Sequence, residues 1–260
     1  MITISYLNVL LALLLLAVPG YMLFAYDRKS VGKGAVSVAR MLVQLCAMGG
    51  LLWLLYRYDS VWLNLAWLLL LVVAAAFLMV SRTRLRSGVL LLPACVAMFV
   101  SVLTVSAYVL YGVLGVSSPW SARWFVPVTG VFMAHVVTTN IHAVRTYFDS
   151  LRQDSQPYLT LLGNGAGRLQ ALTPYFSRAL KSLTVPMFAN LSVMGLFVMP
   201  MLLSGLLLGG VSPVSSVFVF VAMILASCMV SVLSLILTLW LSDRWAFTRQ
   251  GPLADIFTAA

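Results

Sequence analysis

The chain has 260 residues, of which 62% are hydrophobic and only 8% charged, with a mean hydropathy of +1.05. That balance excludes a soluble globular domain, and the missing strand-like alternation excludes an outer-membrane barrel. The net charge of +10 is no nucleic-acid signature, because the basic residues sit in short clusters between apolar runs, where they set topology.

A hydrocarbon core of ~30 Å takes about 20 helical residues to cross. Backbone polar groups cannot stay unpaired in lipid, so long apolar runs there must be helical. Seven spans are predicted on this basis, at residues 3–26, 36–56, 61–80, 89–113, 125–145, 185–209 and 214–241. The first has no positive n-region and is too long for a signal-peptide core, so it reads as a retained helix, kinked at Pro19-Gly20. No linker or repeat divides the chain, which reads as a single all-α, polytopic membrane domain over 1–260.

Fourteen of the 16 Lys and Arg residues fall on one side if the N-terminus is outside and the C-terminus inside. They are Arg28, Lys29, Lys33 and Arg40; Arg82, Arg84 and Arg86; Arg145, Arg152, Arg168, Arg178 and Lys181; and Arg244 and Arg249. Only Arg57 and Arg123 fall outside, so the positive-inside rule predicts this orientation. Trp62, Trp120 and Trp124 near the outer loops and Trp245 on the inner side are placed as interfacial anchors. Cys46, Cys95 and Cys228 lie inside apolar runs without metal-ligand spacing, which argues against a disulfide framework or a zinc site.

The fifth span carries His135, Thr138, Thr139, His142 and Thr146 along one helical face. A polar stripe at membrane depth turns to a neighbouring helix or to a water-filled path. Both readings stand: Thr hydroxyls bonding their own helix and His bonding a neighbour, or a transport route that also includes Asn190 of the sixth span. If the route carries a metal cation, neutral His135 and His142 are the candidate ligands, with Asn190 supplying an oxygen. Met187, Asn190, Met194 and Met201 share a face of the sixth span, either as packing or as a path for a soft metal.

Between these spans, about 146–184 forms a polar, basic cytoplasmic segment of short helices. The fifth helix is predicted to continue to Pro157, and Gly163, Gly165 and Gly167 to break the chain. The glycines are not a phosphate loop, since no Lys-Ser/Thr follows and no strand precedes them. From Arg168, Leu169, Leu172, Phe176, Ala179 and Leu180 recur with helical period, opposite Gln170, Ser177, Arg178 and Lys181. Thr173-Pro174 reads as an N-cap followed by proline, predicting two short helices here. Their surface suits either the membrane plane or a groove on a soluble partner.

No HExxH, GxSxG or paired carboxylates point to an enzyme, and no Walker A sequence is present. All six acidic residues fall in or next to loops, which weighs against a proton-coupled carrier or channel.

Specific stretches carry a resemblance. Arg40-x-x-Val43-Gln44-Leu45 with Gly49, Val126-Pro127-x-x-Gly130, Gly165-Ala166 and Gln170-Ala171 resemble the FetB-type iron-export ABC permeases, a bacterial family related to the plant aluminium-sensitivity permeases. From Pro186 the likeness runs on through Gly195-Leu196, Pro200, Ser204-Gly205, Gly210 and Ser212-Pro213. The resemblance implies a permease subunit in the bacterial inner membrane, working as a homodimer and exporting a metal ion of the iron type. ATP would be hydrolysed on a separate cytoplasmic ATPase subunit, and the chain itself would hold no cofactor. Gly165, Gly167, Arg168, Gln170, Arg178 and Lys181 would then belong to the ATPase-coupling segment. The chain departs from the family pattern at Ala189 and Ser192, where members often carry Asp and Lys, at Met201 in place of Gly, and at His135 in place of Asn. An ABC permease for a non-metal substrate, or a carrier needing no ATPase, are the alternatives.

Overall fold

Apolar runs too long for any strand dictate helices, and the computed structural model, which describes Leu14, Tyr21 and residues 28–83, 87–197 and 209–246, has no other regular element among those residues. In chain order these are α1 (Arg28–Tyr58), α2 (Val61–Thr83), α3 (Ser87–Ala107), a π-helical turn (Tyr108–Val113), α4 (Ala122–Gln153), α5 (Ser155–Gly163), α6 (Arg168–Phe197) and α7 (Pro213–Ala246). Among the described residues, five stretches are long and apolar enough to cross a membrane: Gly34–Tyr58, Val61–Thr83, Leu90–Val113, Ala122–Gln153 and Pro213–Arg244. They correspond to five of the seven predicted spans. The predicted span 3–26, apart from Leu14 and Tyr21, and residues 198–208 of the predicted span 185–209 lie outside the described residues.

The chain divides into two units, Met1–Tyr58 and Asp59–Ala260. The first contributes α1. In the second, α4 is central: α2, α6 and α7 all pack along it, and α3 packs against both α2 and α7. Leu68, Met79, Met98, Phe132, Tyr147 and Phe148 are among the side chains closed off at 0–1% exposure. In a bilayer such burial gains little hydrophobic drive, because lipid tails are as apolar as leucine; close packing and interhelical hydrogen bonds hold the helices instead. α7 is built for this. Ser227, Ser231, Ser234, Thr238 and Ser242 recur every three or four residues on its buried face. Small side chains there let neighbouring backbones approach. Ser227 and Ser231 donate to carbonyls of their own helix, and Ser234 accepts a 3.0 Å hydrogen bond from Asn140 Nδ2 on α4.

One end of the second unit is tied by polar contacts. Asp59, at φ +36°, presents its carboxylate to the first turn of α4, accepting from the Ala122 N–H at 2.6 Å and the Ser121 hydroxyl at 2.9 Å. Negative charge at a helix N-terminus meets unpaired N–H groups and the positive end of the helix dipole. Asn64 Nδ2 donates to the Trp120 carbonyl at 2.7 Å, and Trp120 Nε1 donates to the Tyr111 hydroxyl at 3.0 Å.

Two helix boundaries differ from expectation. α4 ends at Gln153, at an Asp154 with φ −110° and ψ 47°, rather than running to Pro157. Pro157 instead sits in the first turn of α5, where a missing N–H leaves no bond unmade. The two short helices expected around Thr173-Pro174 are one helix, α6, with Pro174 and Pro186 both inside it. The reason is tertiary. Ala171, Tyr175, Ala179, Leu183 and Met187, each four residues from the last, form an unbroken buried row at 0–5% exposure. Keeping that row packed outweighs the rung each proline removes.

Candidate functional site

The polar stripe of α4 faces α6. His135, Thr138, Thr139, His142 and Thr146 line one side of a cavity of about 620 Å³, and Ser182, Leu183, Pro186, Met187 and Asn190 line the other. The α6 residues stand at 182, 186 and 190 with 183 and 187 between, which is one helical face. All five residues expected on the transport route (His135, Thr138, Thr139, His142 and Asn190) therefore surround this one space. Met187 had been placed on one face with Asn190, whereas Ser182, Leu183 and Pro186 were not anticipated at the cavity. Their spacings of four, seven and eight residues from Asn190 were the available signal.

The hydroxyls around the cavity are already committed as donors. Thr138 donates to the carbonyls of Ala134 and His135, at 3.1 and 2.9 Å, and Thr139 to that of His135 at 2.8 Å. Thr146 donates to the His142 carbonyl at 2.9 Å, and Ser182 to that of Ala179 at 2.8 Å. So the intrahelical bonding expected of the threonines and the lining of an interhelical space by the same residues are both present. His135 Nε2 is buried without a hydrogen-bond partner. His142 lies seven residues on, about 10 Å along the helix. Among the described residues no three of His, Cys, Asp and Glu come together as a metal-holding group. Of the methionine face, Met187 reaches the cavity; Met201 and the side chain of Met194 lie outside the described residues.

The segment assigned to ATPase coupling begins as a tight turn between α5 and α6. Gly165, at φ +82°, donates to the Leu162 carbonyl, and Ala166 donates to that of Leu161, both at 3.0 Å. This is a Schellman ending, whose left-handed residue a side chain would strain. Gly167 then caps α6, its N–H donating to Gln170 Oε1 at 3.2 Å. Gly165, Gly167 and Gln170 thus shape the turn itself. Arg168 Nη2 donates to the Asp243 main-chain carbonyl, fastening the start of α6 to the end of α7. Arg178 pairs with Asp154 at the α4–α5 junction, and Tyr175 donates to the Asp154 carbonyl. Lys181 is exposed one turn further along. Burial pushes the phenols of Tyr158 and Tyr175 up, so both remain neutral hydrogen-bonding groups.

A second polar knot escaped the sequence reading. Tyr147 on α4, 1% exposed, donates to the Asp243 carboxylate on α7, with its hydroxyl 2.9 and 3.0 Å from the two oxygens. Asp243 had been grouped with loop acids by its position near a helix end. Its partner lies 96 residues away, a separation no local pattern reveals.

The comparisons with known proteins bear on this architecture. The sequence model of the uncharacterised protein family UPF0014 matches residues 6–247. The chain belongs to UPF0014. Among UPF0014 relatives, the membrane protein STAR2 of Oryza sativa subsp. japonica is 24% identical over 230 residues, covering 88% of this chain and 79% of its own. The protein Aluminum Sensitive 3 of Arabidopsis thaliana is 24% identical over 192 residues, 72% of this chain and 67% of its own. The UPF0014 membrane protein slr1647 of Synechocystis sp. is 24% identical over 177 residues, 68% of each chain. No solved structure matches this UPF0014 chain.

Proposed function

We propose that this chain is the membrane-spanning permease subunit of an ABC transporter, exporting a metal ion of the iron type across a bacterial inner membrane. A separate cytoplasmic ATPase powers it, and two permease chains work together. The observation that carries the reading is the cavity between α6 and α4, the latter long and apolar enough to cross a bilayer: its α4 wall is a stripe of His and Thr that cannot favourably face lipid. Membership of UPF0014, the name of the Arabidopsis relative, and the resemblance to FetB-type permeases support it. With no Walker A sequence in the chain, ATP is bound and hydrolysed on the partner. The turn at Gly165 and Gly167 and the first half of α6 meet that partner, and their displacement shifts the α6 wall of the cavity.

Copurification tests the reading. An ATP-binding subunit is expected to come with the tagged permease, and Arg178→Glu combined with Lys181→Glu is expected to lose most of it. Single exposed charge pairs contribute only ~0–1 kcal/mol, so the double change is the informative one. Asp154→Asn frees the Arg178 charge and should hold or strengthen assembly. Full recovery of the ATPase with the double variant removes this surface from the interface. ATP-independent metal transport by the purified chain in liposomes overturns the ABC reading itself.

The basic residues also set an orientation. A reporter fused after Gly251 should signal from the cytoplasmic side; signal from the opposite side reverses the assigned topology.

A further inference from the structure

We propose that the cavity takes its cargo as a hydrated metal cation, held through the water molecules of the ion's own shell rather than by direct bonds from protein atoms. The inference rests on the permease reading above and concerns how the same space recognises what it carries.

The donor and acceptor balance of the walls leads to it. A hydroxyl has one proton to give and two lone pairs to offer. At Thr138, Thr139, Thr146 and Ser182 that proton is already spent on a carbonyl of the same helix. What remains is a set of acceptors. Pro186 extends it, because a proline has no N–H to bond the Ser182 carbonyl one turn back. A neutral imidazole offers one further acceptor nitrogen and one N–H, and His135 and His142 each bring such a ring to the space. No Lys or Arg and no carboxylate lines the space. The donors left are the Asn190 amide and the imidazole N–H groups, with no positive charge beside them to hold an anion. A cation stripped of water finds a poor replacement: His135 and His142 stand two turns apart, and no three His, Cys, Asp or Glu side chains come together among the described residues. The ligand that complements these walls is a cation that brings its own outward-pointing donors.

Size agrees. Six waters at about 30 Å³ each occupy about 180 Å³, well within about 620 Å³. Keeping the shell also spares a hard ion the dehydration it resists.

Hexaamminecobalt(III) tests this, since its six ammine ligands donate hydrogen bonds but do not exchange, so it binds only through its outer surface. The purified full-length protein is titrated by calorimetry with the hexaammine and, separately, with manganese(II), whose waters exchange freely. The expected result is that both bind and compete. Combining Thr138→Val, Thr139→Val and Ser182→Ala, which removes acceptors at nearly constant shape, should weaken both by at least about tenfold. An unchanged thermal midpoint in that variant shows the loss is not unfolding. Manganese(II) binding with no binding or competition by the hexaammine means direct coordination; that overturns the inference and leaves metal export standing. Unchanged binding of both ions by the triple variant overturns it too. If neither ion binds, the metal cargo proposed above fails, and the inference with it.

Discussion

With His135 and His142 both replaced by Leu, metal efflux is expected to fall at least tenfold, equivalent to ~1.4 kcal/mol. Both imidazoles stand on the cavity wall, and Leu leaves that wall without either nitrogen. The helix loses nothing it depends on, because the Thr139 and Thr146 hydroxyls bond the main-chain carbonyls at 135 and 142, which survive the change. Assembly and thermal stability should therefore hold. The matching replacement by Gln separates two kinds of contact. Gln keeps an acceptor for a water-borne ion but lacks imidazole coordination, so a hydrated cargo predicts transport within about threefold of wild type, a difference well under the 1.4 kcal/mol of a decade. Loss as deep as that of the Leu pair would mean that imidazole nitrogen touches the ion. Wild-type efflux in the Leu pair would leave the stripe as helix packing.

The second large effect concerns stability. Asp243→Ala removes the acceptor from a Tyr147 phenol that is 1% exposed, leaving a buried hydroxyl unpaired at a cost of about 1–3 kcal/mol. The Arg168 hydrogen bond to the main-chain carbonyl of Asp243 survives the change, although the attraction between its charge and the carboxylate is lost. Tyr147→Phe alone leaves the carboxylate without its phenol, and the double variant should cost little more than either single one. That non-additivity, about 0.5–3 kcal/mol in groups sharing a hydrogen bond, is read from thermal midpoints in detergent. Strictly additive losses would show that the two side chains act independently.

Much of this architecture was visible in the residues. Uninterrupted apolar runs bounded by charge clusters mark the starts of α2, α3 and α7 to within two residues and their ends to within six, because length and hydropathy are what a bilayer demands. The α4 stripe was visible as phase, since His and Thr at spacings of three, four and seven lie on one face. What stayed hidden depends on packing across distant segments. Pro174 and Pro186 are strong local stop signals, yet a buried row from Ala171 to Met187 carries α6 through both. The serine face of α7 was averaged away among apolar neighbours, and its meaning appears only where Ser234 meets Asn140. The glycines at 165 and 167 were legible as a break, but not as a Schellman ending followed by a cap.

The unbroken course of α6 has a mechanical consequence. Ala179, wholly buried, lies midway between Arg168 in the turn and Asn190 at the cavity, with eleven residues on either side. If the helix pivots there, its two arms are each about 16 Å long, and the gearing ratio is one. A push of about 3 Å at the turn tilts such a rod by roughly 10° and swings Asn190 about as far in the opposite direction. Each arm also contains one proline, at 174 and 186, where a missing rung softens the rod. A stroke delivered at Gly167 would therefore reach the cavity reversed in sense and nearly undiminished, with any loss taken up at those two compliant points.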